Sequence, residues 1–166
     1  MIEVRNSPAY LRIMAAALTA MCDLDTKLAA VLDAYPELGI AGFADTAPTK
    51  RPSVADVRRC LWYLALEPRR FPPGTNSYGL KHEVEHWGRR EHPEENSYTP
   101  NGAMVAALLL VGTPVERRGI NAVVLRDWTK AARRYALPGK TPPRRLRASN
   151  RETVVRKSEN PDACRC

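Results

Sequence analysis

Between Pro8 and Tyr35 the residues Tyr10, Met14, Ala17, Met21, Leu24, Leu28, Val31 and Tyr35 follow one another in alternating steps of four and three. That spacing holds one apolar stripe on a single face of an α-helix. Ser7 is a good N-cap, and Pro8 falls at the first helical position, where a missing N–H costs nothing. Pro36 stops the run. The expectation is one long helix over residues 8–35. Its seam of about four heptads would either face the core of a bundle or zip two copies into a homodimer as a coiled coil. A single isolated stripe of this length favours the bundle.

The rest of the chain reads as shorter helices. Residues 39–52 form a loop, and Ser53 with Asp56 three residues on caps a helix whose buried face is Val54, Val57, Leu61 and Leu64. Pro68 ends it, and Phe71 in the following PRRFPPGTN loop is expected to pin that loop to the core. A third helix runs from about Ser77 to Arg90. Thr99-Pro100 opens a fourth, through the apolar run to Val111. Thr113-Pro114, with Glu116 in the capping-box position, opens a last one carrying Ile120, Val124, Trp128, Ala131 and Tyr135 on one face. No segment reads as a strand. The expected fold class is therefore all-α: a single-domain bundle of about five helices over residues 1–138, followed by a disordered or extended basic tail over 139–166.

Charge separates these two parts. The 166-residue chain has 26 Lys and Arg against 18 Asp and Glu, a net +8. Eight of the basic and three of the acidic residues follow Gly139, where almost nothing is apolar. The tail cations Lys140, Arg144, Arg145, Arg147, Arg151, Arg156 and Lys157 are the clearest nucleic-acid contacts, because an unfolded basic segment neutralises phosphates with little geometric demand. The longest apolar runs are too short to span a bilayer, and the opening MIEVRNSP has no signal-peptide pattern, so a cytoplasmic protein without a membrane is expected. Cys22 and Cys60 lie in helical patterns and Cys164 and Cys166 at the very end, which is no secreted disulfide framework.

The stretch KHEVEH spells His82-Glu83-x-x-His86, the pattern in which two imidazoles one helical turn apart hold zinc and the intervening Glu is the general base. His92, ten residues beyond His82, is a third candidate ligand. Against a zinc hydrolase, Glu85 precedes the second His, Arg89-Arg90 separates His86 from His92, and a helical wheel sets Leu80, Val84 and Trp87 opposite His82, Glu85, His86 and Arg89. The second set reads as a solvated face. A structural zinc site pairing His82 and His86 with Cys164 and Cys166 is a further alternative, and otherwise no cofactor is implied.

Ser77-Tyr78-Gly79-Leu80-Lys81-His82 with Glu85, then Tyr98, Asn101-Gly102, Ala106-Ala107-Leu108 and Gly112, resembles a pattern of small uncharacterised proteins of phages and other mobile elements, roughly YGLKHxxE followed by a Tyr, an Asn-Gly pair and an Ala-Ala-Leu run. The resemblance spans Tyr78 to Gly112 and implies a genomic setting rather than a mechanism. It includes His82 and Glu85 but neither Glu83 nor His86. Read from the residues, Tyr78, Lys81, His82 and Glu85 share a turn and a half of helix, and Tyr98 and Asn101 begin the next. They form either a hydrogen-bonded polar cluster joining two helices or an anion site at helix N-termini. The functional expectation is a non-catalytic binding protein acting on DNA, RNA or a nucleoprotein assembly, in a regulatory or anti-defence role. A zinc hydrolase and a helical protein-interaction module are the alternatives.

Overall fold

A computed structural model describes residues 8–67 and 73–125 of the chain. Its elements, in order, are α1 (Pro8–Met21), α2 (Leu24–Ala34), β1 (Leu38–Gly39), β2 (Gly42–Phe43), α3 (Val54–Leu66), α4 (Ser77–Glu91), α5 (Asn101–Leu110), β3 (Val115–Arg118) and β4 (Asn121–Val124). The described protein is thus mostly helical, with two small antiparallel strand pairs. No helix among the described residues is long and apolar enough to cross a membrane.

The apolar run NGAMVAALLL has no polar stripe to turn toward water, so it can only be central. Every residue of α5 from Asn101 to Leu108 is buried, and α1, α2, α3 and α4 all pack against it. Its small residues, Gly102, Ala103, Ala106 and Ala107, let those neighbours come close. At its far end Gly112, at φ 74, sends its N–H to the Leu109 carbonyl at 3.0 Å, and the Thr113 N–H reaches that of Leu108 at 2.9 Å. This paired arrangement satisfies carbonyls that the helix end leaves open.

The expected 8–35 helix is two helices. Asp23 adopts a left-handed conformation, φ 55 and ψ 46, and breaks the run between Met21 and Leu24. Lys27 Nζ then donates to the Thr19 and Cys22 carbonyls, closing the end of α1. The apolar stripe nevertheless holds on both sides of the break, with Tyr10, Ala17, Leu24 and Leu28 buried in the same core. The Tyr10 hydroxyl donates to the Ala65 carbonyl at 2.9 Å, tying α1 to the end of α3. Helix α3 starts as expected: Ser53 Oγ accepts the Asp56 N–H at 3.1 Å, and Val57, Leu61 and Leu64 face inward, joined by Cys60. The Ser7 cap and Phe71 lie outside the described residues.

A second correction concerns the segment after Thr113. In place of a helix, Val115–Arg118 and Asn121–Val124 form an antiparallel hairpin with Val115 opposite Val124 and Arg118 opposite Asn121. The two-residue loop Gly119-Ile120 turns the chain, with Gly119 at φ 60 supplying the positive φ that such a loop demands. Ile120 is consequently exposed and Val124 buried. Trp128, Ala131 and Tyr135, the 138/139 domain boundary and the tail lie outside the described residues. The other strand pair, Leu38 opposite Phe43 and Gly39 opposite Gly42, falls where a loop was expected.

The two hairpins bond to each other, to the start of α5 and to the stretch before α4. Phe43 N–H donates to the Ile120 carbonyl at 3.0 Å, Gly102 N–H to the Ile40 carbonyl at 3.0 Å, and the Val124 N–H to the Thr75 carbonyl at 2.8 Å. A methyl group on Gly102 would lie 1.8 Å from the Gly39 oxygen, so only glycine permits this approach.

Candidate functional site

Helix α4 carries most of the residues singled out by the sequence. Asn76 Oδ1 caps it by accepting the Gly79 N–H at 2.7 Å, and Ser77 Oγ accepts the Ala122 N–H at 3.1 Å, fastening its start to β4. Leu80, Val84 and Trp87 face the core as the helical wheel requires. The segment from Ser97 to Pro100 doubles back along one flank of the helix. There it meets Lys81 and Glu85, whose side chains are only 8% and 9% exposed.

Glu85 is fully engaged. Oε1 accepts from Lys81 Nζ at 2.9 Å and from the Thr99 N–H at 3.2 Å, while Oε2 lies 2.7 Å from His82 Nδ1. Burial pushes this carboxyl up, but the hydrogen bonds from Lys81, the Thr99 N–H and His82 outweigh it and hold the group below its ordinary range. The Lys81 ammonium also stands 5.0 Å from the Tyr78 ring centroid and 5.5 Å from that of Tyr98, within cation–π reach of both. The His82 ring meets Tyr78 edge-on, 4.7 Å between centroids. Lys81 and Glu85 therefore form a buried ion pair beneath two exposed tyrosines.

Five of the six residues of the expected polar cluster, Tyr78, Lys81, His82, Glu85 and Tyr98, come together in this way. The sixth, Asn101, does not join them. Its Nδ2 instead lies 3.0 Å from the Ala41 carbonyl, 3.2 Å from that of Ile120 and 3.1 Å from Asn121 Oδ1, so it fastens the turns of the two hairpins to each other. The placing of Glu85 on a solvated face is also corrected: the returning 97–100 segment covers it and needs an acceptor for its own Thr99 N–H.

The His-Glu-x-x-His residues serve separate neighbours. The Glu83 carboxylate accepts the Tyr63 hydroxyl at 2.6 Å, His82 faces Glu85, and the exposed His86 has Nδ1 3.1 Å from an Arg89 guanidinium nitrogen. His92 is the C-cap of α4, with its ring against Trp87. Among the described residues the one group with ligand atoms close enough to share a cation is His92, Glu94 and Glu95, all exposed. His82 and His86 are not part of it, and Cys164 and Cys166 lie outside the described residues.

One feature escaped the sequence reading. An open cleft of about 240 Å³ lies between α3 and the 92–97 segment, lined by Arg58, Arg59, Trp62, Trp87, His92 and Asn96 among others. Trp62 is 42% exposed although it belongs to a helix whose other large apolar residues mostly face inward. The signal was present: Trp62 sits off the Val57–Leu61–Leu64 stripe, one turn beyond two consecutive arginines. Arg59 donates to the Tyr98 carbonyl at 3.1 Å, so the cleft adjoins the tyrosine pair.

The charge division is sharper than the sequence boundary implied. Residues 8–67 and 73–125 contain eleven Lys and Arg against thirteen Asp and Glu, whereas residues 126–166 contain twelve against four. All seven basic tail residues expected to contact nucleic acid fall in the second group, outside the described residues. No family model, characterised protein or solved structure matches this chain.

Proposed function

We propose that this is a non-catalytic, cytoplasmic binding protein of phage or mobile-element origin that engages nucleic acid, or a nucleoprotein assembly, through its basic C-terminal segment. The observation that carries the reading is the segregation of charge. The described body has a net charge of −2 and residues 126–166 one of +8. A polyanion is therefore drawn to one end of the chain, and the attraction is of the salt-dependent kind that counterion release produces. The body supports a non-catalytic role as well. Glu83, which the hydrolase reading needs as a general base, receives the Tyr63 hydroxyl, and the Glu85 carboxylate has both oxygens occupied.

The test is a salt titration of binding to unrelated DNA and RNA, with the full chain and with a full-length variant carrying Arg144→Gln, Arg145→Gln and Arg147→Gln. Each lost phosphate contact should reduce the slope of log K against log salt by about 1, so the variant is expected to lose about 3 from the slope. An unchanged slope would refute the role of the segment. The mobile-element setting is checked separately, by the genes that neighbour this one.

A further inference from the structure

We propose that the α3 cleft is a binding site for one unpaired base and its phosphate, which makes single-stranded nucleic acid the preferred ligand. The inference rests on the nucleic-acid reading above and adds a second contact on the described body. Three observations point to it. Trp62 lines the cleft, is 42% exposed and is not part of the buried core. Arg58, one turn before it on the same helix, is exposed and has no hydrogen-bond or ion-pair partner among the described residues. Arg59 is held in place by the Tyr98 carbonyl at 3.1 Å, with Glu95 at 3.8 Å.

An exposed indole beside a free guanidinium is the pairing that stacks a base and takes the adjoining phosphate. At about 240 Å³ the cleft is smaller than a typical cofactor pocket, and its open form suits a single base of a passing strand. Bases in a duplex have their faces already stacked and cannot reach Trp62, so the site discriminates by strandedness rather than by sequence. Glu95 competes for Arg59, which leaves Arg58 as the cation with free donors. A strand leaving the cleft past Arg59 would next meet the exposed rings of Tyr98 and Tyr78.

The test uses the full chain and measures fluorescence anisotropy of a short labelled oligothymidylate and of a duplex of equal length. Trp62→Ala is expected to weaken single-strand binding about tenfold and to change duplex binding by less than about twofold, with Trp62→Phe retaining most of the affinity. Arg58→Ala should weaken single-strand binding and lower its salt slope by about 1. Both side chains are exposed, and unchanged urea midpoints will show that the variants fold. The proposal is overturned if Trp62→Ala binds single strands like the parent, if it loses duplex and single strand equally, or if polyglutamate displaces the oligonucleotide as well as an unlabelled oligonucleotide does. Should Trp62→Ala be silent while the triple tail variant loses binding to both nucleic acids, the cleft fails and the tail reading stands. No binding of either nucleic acid by the parent would refute both.

Discussion

Lys81 and Glu85 show how one residue pair can be legible in kind and not in place. Their spacing of four residues announces a helical ion pair of the surface type, worth a few tenths of a kcal/mol. The structure buries it, and a buried pair behaves differently: removing one partner strands the other charge away from water. Glu85→Ala is accordingly expected to cost about 3–5 kcal/mol, measured as a lower urea midpoint with an unchanged slope. Glu85→Gln should cost less, since its amide oxygen can still accept from Lys81 and Thr99. Because the folded carboxyl is held below its ordinary range, the stability it contributes is fully present above the ordinary pKa of an unfolded glutamate. It is lost as the pH falls through the lower folded value. Acid titration of the parent should thus show a larger loss of stability on acidification than that of Glu85→Gln.

At the scale of elements, the α1–α2 break and the β3–β4 hairpin turn on local backbone chemistry that periodicity overlooks. The 8–35 stripe is real, but a stripe records which residues are buried and is silent about a one-residue reversal within it. Asp is among the few residues that tolerate a left-handed conformation, through its short polar side chain. Asp23→Val should cost about 1–2 kcal/mol, read from the thermal midpoint of the helical circular dichroism signal. Asp23→Gly should be neutral or slightly stabilising. In the hairpin, Gly119-Ile120 between VERR and NAVV is a two-residue turn flanked by strand-forming residues. The Thr-Pro pair and Glu116 copy a helix start and mask it, and the pairing partners that decide the matter, Phe43 and Thr75, are far away in sequence.

Among the described residues α5 is the helix against which the four other helices pack, and its tightest approach to a neighbour is at its first turn. Gly102 lies against the Gly39 carbonyl, Asn101 Nδ2 sits among acceptors of both hairpins, and the Gly42 Cα faces the Ile120 oxygen. Gly102→Ala forces β1 and α5 apart and is expected to cost about 1–3 kcal/mol. Near-ultraviolet dichroism should fall before the helical signal does, because the helices remain while their docking loosens. The Asn101-Gly102 pair thus has a structural use in this chain, as do Ser77, whose Oγ accepts the Ala122 N–H, and Gly112 at φ 74. Tyr78 and Tyr98, beside the Lys81–Glu85 pair, are both open to solvent, at 46% and 59% exposure.

The sequence alone determined where the helices α3, α4 and α5 lie, which of their faces are apolar, and that positive charge collects toward the C-terminus. These properties follow from short-range periodicity, capping side chains and composition. Only the tertiary structure decided that Glu85 is covered, that Asn101 serves the hairpins rather than the Tyr78–Lys81 cluster, and that Trp62 with Arg58 and Arg59 borders a cleft. Each of those depends on a segment returning from a distance: 97–100 over α4, two hairpin turns meeting at α5, 92–97 opposite α3. Burial and pairing across such distances are set by how the elements dock, and no local pattern of residues encodes that geometry.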